Sequence, residues 1–513
     1  MTTRIPVTIA LVAIGWALGQ TACAPYLPPT AVPAVQSPVL ESFRTAVKAY
    51  VDQTQPFRKD AAVKGDAVPD QTSAAGADDA IRLRQQTLAE AIQVKVRPGA
   101  QQGDILSRPV ADALRQELGI AFGGPKADLI RDELQEQNEG LGADSIALAI
   151  NKTAVVPRMP PVLLEVLPQL PQQVEFAFSG RTLILRDVDA DVILDFFDEA
   201  FPESPQPLPT PPPSEQAVSA GSAPLLALPG IAGSTSFALI GDSGSGDSAQ
   251  KNVANAMLRY FTTARRFTFV LMLGDNLYHD DYQGEFSKPY QGLLERGVLF
   301  YAALGNHDRE LEQHYKPFHM TDRLYYAFTE GNARFVVLNS NHPADKAQIA
   351  WLDGAFGSTG TKWRISFFHH PLYSSGDHAQ ESRQTIRPAL EPSLVRNHVD
   401  VVFNGHEHLY ERIAQQQGVR YFVSGGGGRD LYGFRKSAFD EAGSSEHHFM
   451  VVEIAGDQMF FEAITPQGRA LDCGVLWRTA DAAAKTRDSV TLAWQDGCRA
   501  ATAWREPLAV VER

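Results

Sequence analysis

Short apolar runs that stop at a glycine or a polar cluster punctuate the second half of the chain. Ser236–Ile240 meets Gly241-Asp242, Phe267–Leu273 meets Gly274-Asp275, and Val298–Leu304 meets Gly305-Asn306. Ile365–Phe368 meets His369, and Val399–Phe403 meets Asn404-Gly405-His406. Continuous apolar runs of this length read as strands buried on both faces. Helical patterns lie between them, such as Val253, Met257, Leu258 and Phe261. Strands alternating with helices predict an α/β core, with ligand-handling residues beyond the strand C-terminal ends.

Upstream the pattern differs. Ser107-Arg108-Pro109 starts a helix with a hydroxyl cap and an early proline. Val174, Phe176 and Phe178 alternate, Ser179-Gly180 turns, and Leu183 and Leu185 alternate back, which predicts a hairpin. Asp187, Asp189 and Asp191 alternate like the start of a calcium loop, but Val192 stands where such a loop needs glycine and Asp198 where it needs glutamate. The favoured reading is that these aspartates cap and solvate a helix carrying Val192, Ile193, Phe196 and Phe197. Residues 41–201 therefore read as a smaller α+β domain of unknown function. Residues 202–213 hold seven prolines and begin a spacer that runs to 234. The main α/β domain is expected over 235–470 and a C-terminal extension over 471–513.

The chain opens on an export pattern over residues 1–24. Arg4 supplies the positive end, Ile5–Leu18 is mostly apolar but too short to span a bilayer, and small residues follow. A proline- and alanine-rich tether covers 25–40. Gln20-Thr21-Ala22-Cys23 resembles a bacterial lipobox, in which a lipid on Cys23 would attach the chain to a membrane. Cleavage nearby without a lipid and an uncleaved anchor are the alternatives. All three place the mature chain outside the cytoplasm, in a bacterial periplasm, cell envelope or the medium. There Cys473 and Cys498 would pair as a disulfide. The net charge of −14, with no basic stripe, argues against a nucleic-acid partner. After residue 20 no apolar run approaches 18, which excludes a polytopic membrane protein.

All 13 histidines lie between His279 and His448, so one segment holds the imidazole chemistry. The polar residues at the strand ends are Asp242, Asp275, Tyr278, Asn306, His369, His406 and His408. Carboxylate, phenol, amide and imidazole without thiolate suit a hard or borderline cation. Seven donors from five strand ends suit two cations sharing an aspartate, an arrangement that serves phosphoester hydrolysis.

The ordered motifs GDSG (241–244), GDNLY (274–278), GNHD (305–308), HHP (369–371) and GHEH (405–408), continued by Leu409-Tyr410-Glu411-Arg412, resemble those of the purple acid phosphatases within the calcineurin-like metallophosphoesterases. His378, nine positions after His369, is similar to the tartrate-resistant, animal-type branch. The likeness covers about 235–470 and implies an αββα sandwich of two mixed sheets. Most metallophosphoesterases open with Asp-any-His. Here the third position is Gly244, and Tyr278 replaces the lost ligand.

The resemblance implies that Asp242, Asp275, Tyr278 and His408 hold Fe(III). Asp275 would bridge to a divalent zinc, manganese or iron ion held by Asn306, His369 and His406. It implies attack of a metal-bound hydroxide on a small phosphate monoester, with His307 and His378 as catalytic proton carriers. Asp308 would orient His307, or serve only as a turn residue. His370 is not expected to be a ligand. The expected function is an exported acid phosphatase. A phosphodiesterase or nucleotide hydrolase on the same metals, and a non-catalytic binding protein, are the alternatives. Tyr325-Tyr326 reads as a half-buried strand, with a place at the substrate mouth as its alternative. The remaining histidines, His448 included, read as loop or surface residues. Substrate identity and oligomeric state stay open.

Overall fold

The computed structural model describes residues 37–69, 74–201 with gaps between 125 and 165, 226–478 apart from 358 and 359, and 488–503. The export pattern with Cys23, and the proline-rich part of the spacer, lie outside the described residues.

The N-terminal region packs three helices, α1 (Pro38–Asp66), α2 (Ala74–Ala91) and α3 (Arg108–Phe122), with a small antiparallel sheet of β1 (Val174–Ser179), β2 (Thr182–Asp187) and β3 (Val192–Phe197). Ser107 precedes α3 and Pro109 lies in its first turn. The β1–β2 hairpin turns at Gly180-Arg181, one residue later than Ser179-Gly180, and Ser179 closes the ladder opposite Thr182. The helix expected over 192–197 is instead β3. Val192, Leu194 and Phe197 join the cluster of Phe43, Leu114 and Phe176, while Ile193 joins Ala177 and Ile184 on the other face. The alternation of Val192, Ile193 and Leu194 is a strand's, a register shift in the pairing with β2 returns Phe197 to the first face, and that pairing satisfies backbone groups that a six-residue helix would leave open.

The three aspartates beside β3 pair with arginines. Asp187 accepts from the Tyr50 hydroxyl at 2.6 Å and pairs with Arg58, which also pairs with Asp189. Asp191 pairs with Arg186 at 3.1 Å and with Arg309 of the main body at 2.7 Å.

The main body is two sheets face to face. One contains the parallel strands β4 (Thr235–Ile240), β5 (Phe269–Met272) and β6 (Leu299–Ala302). The other contains the β7 (Tyr326–Glu330) and β8 (Ala333–Val337) hairpin, β9 (Trp363–Phe367), β10 (Val401–Asn404), β11 (Tyr410–Gln416), β12 (Val419–Ser424) and β13 (Asp440–Ser444). Strands β8, β9, β10 and β12 run parallel to one another. Antiparallel β14 (Phe449–Ala455), β15 (Gln458–Ile464) and β16 (Ala470–Trp477) complete the first sheet in the order β16-β15-β14-β4-β5-β6.

Alternation explains the layers. Phe335, Val337, Ile365, Phe367, Val401 and Phe403 point into the space between the sheets. Val336 and Val402 point outward to Leu352 of α4 (Lys346–Ala355) and to Leu390 and Leu394 of α5 (Arg387–Arg396). Phe237 stands edge-on to Phe335 at 5.4 Å, joining the sheets at their centre. Each such fully buried phenylalanine contributes roughly 1.5–3 kcal/mol. The expected boundary at 470 falls at the first residue of β16, so the sheet runs past it. α6 (Ser489–Ala501) is fastened to β16 by the Cys473–Cys498 disulfide and by Trp494, whose indole N–H donates to the Gly474 carbonyl. Ala77 and Ile81 of α2 are buried in the same cluster as the body's strands.

Candidate metal centre

The C-terminal ends of β4, β5, β6, β9 and β10 converge, and the turn after each carries one or more of the candidate ligands. The turns are abrupt. Asp242, Asp275 and His406 hold φ of 56°, 52° and 70°, a region costly for side chains other than glycine and found where function over-determines the backbone.

Two donor groups form, sharing Asp275. In the first, the Tyr278 hydroxyl lies 3.1 Å from Asp275 Oδ2 and 3.4 Å from His408 Nε2, and His408 Nε2 lies 3.5 Å from Asp242 Oδ1. In the second, Asn306 Oδ1 lies 2.8 Å from His369 Nε2 and 3.1 Å from His406 Nδ1, and His369 Nε2 lies 3.5 Å from Asp275 Oδ2. Asp242, Asp275 and His408 together, and His369 and His406 together with His370, bring ligand atoms within 4.8 Å of one another.

The imidazoles are oriented as ligands. His369 Nδ1 donates to the Leu273 carbonyl at 3.0 Å, leaving Nε2 toward the cluster. His408 Nδ1 donates to the Asp430 carbonyl at 2.6 Å, again leaving Nε2. His406 is reversed: Nε2 meets the Glu381 carboxylate at 3.1 Å, and Nδ1 faces Asn306. An acceptor on the far nitrogen fixes the tautomer that a metal ligand needs. Burial, then the crowding of His378 and His370, holds His406 well below the ordinary histidine range, in its neutral form.

The charge balance also fits cations. Asp242 and Asp275 are buried, and among the described residues their only ionic partners are histidines, not lysine or arginine. Burial pushes the Asp242 carboxyl up, and burial with the Asp275 and Asp242 charges pushes the Tyr278 phenol well above its usual value. Buried anionic donors of this kind cost free energy until a cation compensates them. The Gly244 position explains the exchange of ligands. A Cβ there would lie 2.2 Å from the Asn276 carbonyl oxygen, so the loop leading to Tyr278 occupies the space that a histidine would need.

His307 and His378 flank the cluster on different sides. His307 is half-buried, its ring 4.6 Å from that of Tyr278, and its N–H donates to Asp275 Oδ1 at 2.9 Å. The His378 ring lies 4.4 Å from that of His406. Asp308 is fully buried, and its carboxylate accepts from Gly305 N, Asn276 N, Asn276 Nδ2 and Leu277 N at 2.7–3.0 Å. It ties the turn of Asn306 to that of Asp275, which is a positioning role. Burial, reinforced by the Asp275 charge, pushes its carboxyl up to about 7. His370 Nδ1 is engaged with the Ser340 hydroxyl at 2.8 Å. His448 is buried rather than at the surface, with Nε2 3.0 Å from the Ser424 hydroxyl, and burial lowers it to about 4.

Three glutamates that sequence motifs alone do not single out complete the centre. Glu381 holds His406. Glu407 accepts from the N–H groups of Asp377 at 3.0 Å and His378 at 2.8 Å, and Glu411 accepts from Ser374 Oγ and Ser375 N. A Cβ on Gly376 would lie 2.1 Å from Glu407 Oε2, so the loop sits directly on this carboxylate. For Glu407 and Glu411 the signal is their place inside GHEHLYER, but nothing local says what they hold. Glu407→Gln turns an amide N–H₂ toward one of these two backbone donors. If the centre holds metals and hydrolyses phosphomonoesters, the change is expected to lower turnover by roughly 10–100-fold while bound metal is unchanged, as elemental analysis beside kcat would read. Loss of metal with activity would show instead that Glu407 holds the ligand turn.

Residues 235–410 match the calcineurin-like phosphoesterase family. Relatives in sequence include a purple acid phosphatase of Glycine max, 28% identical over 218 residues, covering 37% of this chain and 46% of that protein. The Fe(3+)-Zn(2+) purple acid phosphatase 12 of Arabidopsis thaliana is 29% identical over 220 residues, with 37% and 46% covered. The chain thus spans about half the length of the curated relatives it matches. Among solved structures, the purple acid phosphatase PPD1 from yellow lupin seeds aligns with a TM-score of 0.42 and 17% identity, covering 67% of this chain and 64% of that one.

Proposed function

We propose that the calcineurin-like phosphoesterase domain of this chain works as a binuclear-metal acid phosphatase on phosphate monoesters. The observation that carries this reading is the convergence of seven donor side chains into two groups with Asp275 in common. Asp242, Asp275, Tyr278 and His408 would hold Fe(III), and Asp275, Asn306, His369 and His406 a divalent ion. Zinc, the second metal in the name of the Arabidopsis relative, fits that donor set, as do manganese and iron. When bound, the cations would supply Lewis-acid activation of the phosphoryl group and of water.

The chain's own residues do the rest. The turns after five strands hold the donors in place before substrate arrives. His307 and His378, protonated at acid pH, would hydrogen-bond the phosphate oxygens, and His378 would pass its proton to the leaving oxygen. Glu407 holds the backbone of His378 so that its ring stays beside that of His406.

The export pattern at the N-terminus supports a place outside the cytoplasm, by a lipid on Cys23, by cleavage nearby or by an uncleaved anchor. The disulfide between Cys473 and Cys498 supports an oxidising compartment.

Colour tests the assignment of Tyr278. A phenolate on Fe(III) gives a charge-transfer band in the visible, so the purified, metal-replete protein is expected to be pink to purple. Tyr278→Phe is expected to bleach it. A colourless, fully active protein that holds two zinc ions would sink the iron assignment.

A further inference from the structure

Between the N-terminal region and the main body lies a cleft of about 670 Å³, the size of a small-molecule site. Its walls are largely apolar: Leu164, Leu170 and Phe176 on one side, Leu324 and Tyr325 on the other. Tyr325 is half-buried and packs on Trp351 at 5.0 Å, which leaves a braced aromatic surface. Its neighbour Tyr326 is buried in β7, with its hydroxyl donating to the Ala302 carbonyl.

The lining of the cleft is hydrogen-bonded to a metal-ligand turn, although none of the seven donors lines it. Asn341 lines it and donates from Nδ2 to the carbonyl of Gly305, the residue before Asn306. Glu310, four residues beyond Asn306, lines it too. Ser340, beside Asn341, meets His370 next to the ligand His369. The outer wall is pinned to the same turns by Arg309, which pairs with Asp191 of the N-terminal region and with Asp280, two residues after Tyr278.

Charge narrows the occupant. The cleft is lined by Asp52, Glu175, Glu310 and Asp345 and by Arg44, Lys48 and His342; Glu175 pairs with Arg186 and Glu310 with His342. Arg44 is already paired with Glu41, and Lys48 with Asp52. A leaving group bearing further phosphates would meet cations that are already engaged, whereas an aromatic or aliphatic body would bury apolar surface.

We infer that the N-terminal region forms the leaving-group side of the active site, and that this cleft takes the bulky, uncharged organic body of a phosphomonoester, such as an aryl group. This rests on the phosphatase reading and adds a substrate class to it. Two full-chain variants test it. Gln172→Trp places a large ring into the cleft from an exposed lining position, and Tyr325→Ala removes its aromatic wall.

The measurement is the ratio of kcat/KM for biphenyl-4-yl phosphate to that for phenyl phosphate, whose leaving groups are of similar acidity. The wild-type ratio is expected to be roughly 10–100, from burial of one extra ring. It should fall toward one in both variants. A wild-type ratio near one, or a high ratio that both variants keep, would overturn the inference. Binding of 4-hydroxybiphenyl by calorimetry separates the two readings. If no phosphate is turned over but this phenol binds and Gln172→Trp abolishes binding, the cleft stands and the phosphatase reading falls. If the phenol does not bind the wild type, or binds both proteins equally, the cleft assignment falls whatever the turnover.

Discussion

Asp275→Asn is expected to leave a folded chain that no longer retains its metals and has lost phosphomonoester turnover by more than about 10³-fold. Asp275 is the residue common to both donor groups. Its Oδ2 lies 3.1 Å from the Tyr278 hydroxyl and 3.5 Å from His369 Nε2, while Oδ1 takes the N–H of His307. Asparagine keeps the volume and tolerates the left-handed backbone at this position, so the turn itself should persist. What is lost is one negative charge and one oxygen. The N–H₂ group must face either the His307 N–H, donor against donor, or the cluster, where it cannot ligate.

Folding need not suffer, because an uncompensated buried carboxylate costs stability in the metal-free chain. The variant without metal should melt no lower than wild type stripped of metal. Elemental analysis, kcat and thermal unfolding of both proteins, each with and without metal, read these outcomes. Two retained metal ions with more than a tenth of wild-type activity would remove Asp275 from its bridging place.

Most of the centre is legible in the amino-acid sequence because it is built on parallel, doubly buried strands. Such strands are continuous apolar runs, and a polar residue within three positions of each run's end, Asp242, Asp275, Asn306, His369 or His406, marks its C-terminal end. β3 is not legible in the same way, because Val192–Phe197 is too short for apolar periodicity to separate strand from helix. The role of Asp308 is hidden because its partners, Asn276 and Leu277, lie more than thirty residues upstream. Glu381, Glu407 and Glu411 act on backbone and imidazole groups that only the tertiary fold brings near. The cleft has no signal, since its walls come from opposite sides of a proline-rich stretch, and local patterning carries no information about which two apolar faces will meet.

His378→Ala separates proton donor from ligand. Its ring lies beside that of His406 but supplies neither donor group, so both metals should stay bound. Its backbone N–H is still held by Glu407, so the loop over 374–378 should keep its place. If the imidazolium gives its proton to the departing oxygen, turnover of an alkyl phosphate should fall by roughly 10²–10⁴-fold. A nitrophenyl phosphate, whose leaving group departs readily as the anion, should lose much less. An equal loss on both substrates would mean that His378 positions the phosphate instead. A loss of metal in His378→Ala would place its imidazole among the ligands, beside the His406 ring that already faces Asn306.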